Sequence, residues 1–165
     1  MTGRPSAWWT LSGGSEARRA LGWTLIEIVL ALVITAVLAA LVLPGYTSMV
    51  ERRRRAEAIA DIRTIEAEIE AYAFGSRRPP PTLGEIGWAT RRDPWGRPYR
   101  YLRFDGLDWV LRARIDRFDV PINSTYDLYS VGPDGRSALS LQLPESRDDM
   151  IRANDGAYVG PAWRF

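Results

Sequence analysis

From Trp23 to Leu43 the chain is almost continuously apolar, and Glu27 is the only charged residue in that run. At 1.5 Å of rise per residue, a helix over this run covers about 31 Å, close to the hydrocarbon thickness of a bilayer. It carries no polar stripe of the kind a buried soluble helix shows. A removed secretory signal, cut near Ala39-Ala40-Leu41, is the other reading, but apolar regions of signals rarely exceed about 15 residues. After Pro44 and Gly45 the pattern changes to three- and four-residue steps. Met49, Ala56, Ile59, Ile62, Ile65, Ile69 and Tyr72 make the stripe of an amphipathic helix. Arg53, Arg54, Glu57, Asp61 and Glu68 occupy the opposite face, with Glu66 and Glu70 placed as a repelling pair among the charges. The two patterns together predict one helix from Trp23 to about Phe74. Gly75-Ser76 and Pro79-Pro80-Pro81 stop it, because proline lacks the amide donor and disfavours helix before it.

Residues 75–92 read as a loop with one short turn near Leu83–Trp88. Asp93-Pro94-Trp95-Gly96, followed by Pro98-Tyr99, is a tight turn leading into extended chain. Alternation over Tyr99–Phe104 predicts a strand, and Asp105-Gly106 a hairpin turn. Leu107–Ile115 is expected as the returning strand, with Trp109, Leu111 and Ala113 on one face, and Tyr126–Ser130 as a third strand. A hairpin alone is marginal, so the sheet is expected to bury its apolar side on the Ile59–Tyr72 helix face. The fold class is α+β: a long N-terminal helix, membrane-spanning in its first half, packed on a small antiparallel sheet.

The chain of 165 residues has room for one modest core beyond the apolar run. Cysteine and histidine are both absent, which removes disulfides, thiolate chemistry, the usual general base and the commonest transition-metal ligand. No Ser-His-Asp, Cys-His or phosphate-cradling glycine loop occurs, and the sequence does not read as an enzyme. The formal net charge is +2, much of it from Arg4, Arg18 and Arg19 before the apolar run, so overall charge gives no reason to expect nucleic-acid binding. Arg52–Arg55 suits either phosphate headgroups or acidic residues of a neighbouring chain. Because arginines flank the apolar run on both sides, charge counting does not fix its orientation. Residues 1–14 carry no helical or strand period and read as disordered.

Glu27 needs an explanation. An ionised carboxylate inside a bilayer costs roughly 2.5–3.5 kcal/mol even on lenient scales, so it should be paired, or else it snorkels to the headgroups. Its context is Arg18-Arg19, then Gly22, Trp23, a hydroxyl, two aliphatic residues and Glu27, with Pro44 closing the apolar run. This resembles the processing site of the type IV pilin and type II secretion pseudopilin superfamily, with Trp23 where the family usually has phenylalanine. The resemblance implies that residues 1–22 are a leader, removed by the prepilin peptidase between Gly22 and Trp23. The new amino terminus on Trp23 would then be methylated, leaving Glu27 as the fifth mature residue. It implies a pilin-like fold, divided into a transmembrane half of the helix (23–44), an amphipathic half (45–75) and a loop-and-sheet body (76–165).

Asp93-Pro94-Trp95-Gly96 resembles the turn that opens the sheet of major pseudopilins, and its expected role is structural. Ser130-Val131-Gly132-Pro133-Asp134-Gly135, with Asp148-Asp149 further on, admits two readings. From the residues alone it is a Pro-Asp-Gly turn and an exposed acidic pair neutralised by Arg147 and Arg152. The resemblance implies instead a calcium site, with carboxylates from Asp134, Asp148 and Asp149, the Val131 carbonyl and an oxygen of Ser130. Asp127 and Asp155 stand as further oxygen donors. The stretch between Asp134 and Asp148 is longer than the family's short loop, with Leu139–Leu143 inserted.

The resemblance also implies a non-catalytic subunit that associates with copies of itself in a helical filament. It would sit in the inner membrane with its body in the periplasm, work with minor pseudopilins and an inner-membrane assembly platform, and drive protein secretion. A surface-fibre type IV pilin is the second reading. A membrane-anchored binding module, with Trp88, Trp95, Trp109 and Trp163 as its ligand surface, is the third.

Overall fold

The computed structural model describes residues 22–118 and 120–165. The expected leader, apart from Gly22, lies outside the described residues. Helix α1 runs Leu25–Ser76, within two residues of both expected ends. The chain divides into two compact units, Met1–Leu43 and Pro44–Phe165.

In the first unit every described side chain of α1, Leu25 to Leu43, is exposed. Leu25, Ile26, Val29, Leu32, Leu38 and Leu41 are among these bare apolar residues. The helix is long and apolar enough to cross a membrane.

In the second unit α1 buries Ala58, Ile62, Ile65 and Ile69 at three- and four-residue spacing. The stripe is shifted slightly from the expected one: Ala58 is inside, whereas Met49 and Ala56 are exposed. Against this stripe lies a four-stranded antiparallel sheet in the order β1 (Arg100–Arg103), β2 (Tyr126–Ser130), β3 (Met150–Ala153), β4 (Tyr158–Pro161). Strand alternation sorts side chains to two faces. Tyr126 and Leu128 from β2 and Met150 from β3 join the helix stripe, Leu83, Trp88 and Tyr99 in one core. On the other face Ile151 and Ala153 of β3 meet Ile122, Leu141 and Ala162 in a second, smaller core.

Two expectations change. Leu107–Ile115 is no strand. Asp108–Leu111 forms a 3-10 turn, and β1 pairs with β2, Tyr101 opposite Leu128. The local cause is Trp109, which stacks on Phe104 with ring centroids 4.3 Å apart and folds the segment back on itself. Leu111 is consequently 80% exposed while Ala113 is buried, so the supposed common face does not exist. Strands β3 and β4 were not anticipated. Their sequences, Met-Ile-Arg-Ala and Tyr-Val-Gly-Pro, are short and lack a clean alternation.

Candidate functional site: the helix head and the C-terminal loop

At the head of α1, Thr24 and Glu27 satisfy one another. The Thr24 amide and its hydroxyl each donate to Glu27 Oε2 at 3.1 Å, and the Glu27 amide donates to Thr24 Oγ1 at 3.3 Å. This is a capping box, which supplies partners to amides that have none within the helix and sets a negative charge at its positive end. Gly22 and Trp23 lie just before the helix, without regular structure and exposed, so the bond between them is reachable.

The turn beginning at Asp93 is organised by its carboxylate. Oδ1 accepts from the amides of Trp95 (3.1 Å) and Arg97 (2.8 Å), while Oδ2 accepts from Ser130 Oγ at 2.6 Å. The two motifs read separately in the sequence are therefore one unit, joined through Asp93 and Ser130. Arg97 strengthens the join, with Nη1 donating to the Gly132 carbonyl at 2.6 Å and Nη2 to that of Pro133 at 3.3 Å. Gly132 has φ +62°, and a Cβ there would collide with the Asp148 carbonyl, so glycine is required by both backbone and space.

The expected calcium donors come only partly together. The Asp134 amide donates to Asp148 Oδ2 at 3.2 Å, which brings these two residues side by side, and Asp134 Oδ1 accepts from the Arg136 amide at 2.8 Å. Ser130 Oγ is committed to Asp93. Asp149 is turned inward, fully buried, and faces the guanidinium of Arg114, Nη2 to Oδ2 at 2.7 Å. Ser137 Oγ donates to the same oxygen at 2.7 Å. Burial outweighs the opposing pull of Arg114 and Ser137, and the Asp149 carboxyl is pushed up to about 6. Calcium takes six to eight oxygens around one point. No group of three or more acidic residues among the described residues is arranged to hold a metal. Among the expected donors Asp149 Oδ1 is buried without a hydrogen-bond partner, and Arg114 Nε and Nη2 beside it are buried without one as well. A single orphan oxygen beside a guanidinium does not make a divalent site, and the donor set does not fit bound calcium.

The reserve donors serve elsewhere. Asp127 accepts from the Arg114 amide (2.7 Å) and from Asn123 Nδ2 (2.9 Å). Asp155 accepts from the amide and hydroxyl of Ser124. Neutralisation by arginine, the reading taken from the residues alone, is right in kind and wrong in partner. Arg147 is exposed, and Arg152 Nε donates to Glu66 Oε1 at 2.8 Å across the main core. Glu66, placed among the solvated charges in the sequence, is buried by that pairing. Sequence reasoning missed Arg114. Its only signal was a cation between the small Ala113 and the aliphatic Ile115, a pattern too common to single out.

The four tryptophans do not share a surface. Trp88 is in the main core, Trp95 packs at its edge with Nε1 donating to Glu51, Trp109 stacks on Phe104, and Trp163 is exposed in the C-terminal turn Ala162–Arg164. An open cleft of about 790 Å³, lined by Arg100, Leu111, Tyr129, Arg136 and Leu139 among others, includes none of them.

A long helix with an apolar head, whose second half packs on an antiparallel sheet, is the pilin-like arrangement of the α+β class. Curated relatives agree with that class. The chain is 31% identical to the type II secretion system core protein G of Klebsiella pneumoniae, over 81% of this chain and 94% of that protein. It is 28% identical to the protein of the same name from Dickeya chrysanthemi, over 84% and 90%, and 30% identical to that of Escherichia coli K12, over 69% and 82%. The chain belongs to the type II secretion system core protein G family, the major pseudopilins. No family model matches it, and no solved structure matches it.

Proposed function

We propose that this chain is the structural, non-catalytic subunit of a periplasmic pseudopilus that polymerises to drive type II secretion. The observation that carries the reading is the bare apolar surface of α1 from Leu25 to Leu43, interrupted only by Glu27. Such a surface must be covered, by lipid before assembly and by the helices of other copies after it. In this reading the prepilin peptidase cuts the exposed Gly22–Trp23 bond and methylates Trp23. The helix then anchors the subunit once in the inner membrane, with the body in the periplasm. The subunit is drawn into the filament at an inner-membrane platform, alongside minor pseudopilins. Membership of the core protein G family supports this over a surface-fibre pilin, and the scattered tryptophans give no support to a binding module.

Glu27 has two duties here. Within its own chain it caps α1 through Thr24. Between chains its carboxylate pairs with the amine of a neighbouring Trp23, offsetting the cost of a buried charge. Glu27→Leu inserts in the membrane and fails to form filaments. Glu27→Gln retains an acceptor for the Thr24 amide but no charge, and it fails as well. Electron microscopy of filaments from cells making each variant checks this, and normal filaments from Glu27→Gln would remove the charge-pairing role.

A further inference from the structure

We infer that two arginines, the buried Arg114 above all and the half-buried Arg97 beside it, hold the C-terminal loop 131–149 in place of a divalent cation. Arg114 is 1% exposed, and its guanidinium is enclosed on three sides. Asp149 Oδ2 lies 2.7 Å from Nη2, Ser137 Oγ accepts from Nη1 at 2.6 Å, and the Tyr129 ring centroid is 4.2 Å from the guanidinium carbon. The Ser137 hydroxyl in turn donates a hydrogen bond to Asp149 Oδ2, so loop, hydroxyl and acid close a ring around the cation. Arg97 does similar work one turn away, taking the Gly132 and Pro133 carbonyls that face it. Carbonyls and a carboxylate are the groups a hard cation would recruit. In this chain guanidinium groups occupy them.

The backbone shows why Arg114 is available. The Ile115 amide donates to the Leu139 carbonyl at 2.9 Å, and the Leu141 amide to the Ile115 carbonyl at 3.0 Å. The inserted stretch 139–143 therefore pairs with the segment that carries Arg114 and pins it beneath the loop, with Leu141 buried in the second core. A guanidinium stays protonated throughout the biological pH range, so a loop held this way is indifferent to metal supply. A calcium ion on Asp149 would also sit within a few ångströms of a fixed positive charge in a dry site, where repulsion is poorly screened.

The test uses the full chain in detergent. Thermal unfolding is followed by tryptophan fluorescence in millimolar calcium and in excess EDTA, with equilibrium dialysis against radioactive calcium in parallel. The two midpoints are expected to agree within about 1 °C, with no stoichiometric calcium bound, since a ligand of the native state would raise the midpoint. Arg114→Met is expected to lower the midpoint by roughly 10 °C or more, because Asp149 is left buried and unpaired. Arg114→Lys, which keeps the charge, should fall less. Asp149→Asn combined with Arg114→Met should lose less than the sum of the single changes. A calcium-dependent rise in the native chain, or strictly additive losses in the double variant, would overturn the inference. If the variants do not accumulate, the calcium measurements on the native chain decide alone. None of these outcomes depends on whether the chain forms filaments.

Discussion

Glu66, Arg152, Asn123, Asp127, Arg114 and Asp149 form a relay of buried polar groups from the helix face through the sheet to the C-terminal loop. Arg152 reaches Glu66 with Nε and the Asn123 carbonyl oxygen with Nη1, and Asn123 donates onward to Asp127. Asp127 holds the Arg114 backbone, and Arg114 meets Asp149. Burial pushes the Asp127 carboxyl up, against the opposing pull of the Arg114 amide and Asn123. Charges this deep are tolerated because each has a partner, and removing one partner of such a pair costs about 3–5 kcal/mol. Asp155, at the rim of the relay, behaves differently. Partial burial pushes its carboxyl up, but the Ser124 hydroxyl and amide and the Arg152 charge outweigh that and hold it below the usual range. A depressed acid stabilises the fold above its unfolded value of about 3.9, and that contribution is lost as pH falls through the lower folded value. Asp155→Asn should therefore flatten the acid limb of midpoint against pH below about pH 4, where the native chain loses stability. Midpoints measured across that range check it, and an unchanged slope would remove the role of Asp155.

The elements are held by two cores, one on each face of the sheet. Helix α1 supplies Ile62, Ile65 and Ile69 to the first, and each is essentially fully buried. Deleting most of one such side chain loses transfer energy and leaves a cavity, so Ile65→Ala should cost about 2–5 kcal/mol. Denaturant unfolding of the full chain measures this. A loss below about 1 kcal/mol would mean that the stripe is not packed as described. The outer core is thinner, and part of it comes from the inserted stretch 139–143. That explains how so short a sheet is covered on both faces. The helix stripe was legible in the sequence because a period of 3.6 recurs over many residues. Strand β2 was legible because its apolar and polar positions alternate. The 107–115 segment misled because its alternation satisfies the strand template, while the stacking of Trp109 on Phe104 folds it locally.

At the scale of the whole molecule, the first unit is an apolar helix with one acid at its head, and the second is a closed body with two cores. The body's arginines and acids are paired internally or lie in water, whereas the first unit exposes almost only hydrocarbon. In the proposed assembly that surface is covered by lipid first and by the helices of other copies afterwards. In the same proposal, processing frees the Trp23 amine that pairs with Glu27 of a neighbouring copy. Mass spectrometry of the protein extracted from membranes should find Trp23 as a methylated first residue. An intact chain still beginning at Met1 would sink the proposed maturation.

The sequence by itself determined the span, the amphipathic stripe, the Asp93 turn, the α+β class and the family, since each is written in neighbouring residues or in a repeating period. Only the tertiary structure decided which cation meets Asp149. Arg114 and Asp149 lie on segments far apart in the chain, brought together by the Ile115 pairing with Leu139 and Leu141. No local pattern encodes a contact of that kind, because the two charges attract strongly enough to offset their lost hydration only in the dry interior, and that interior exists only once the sheet and the 139–143 stretch close over them.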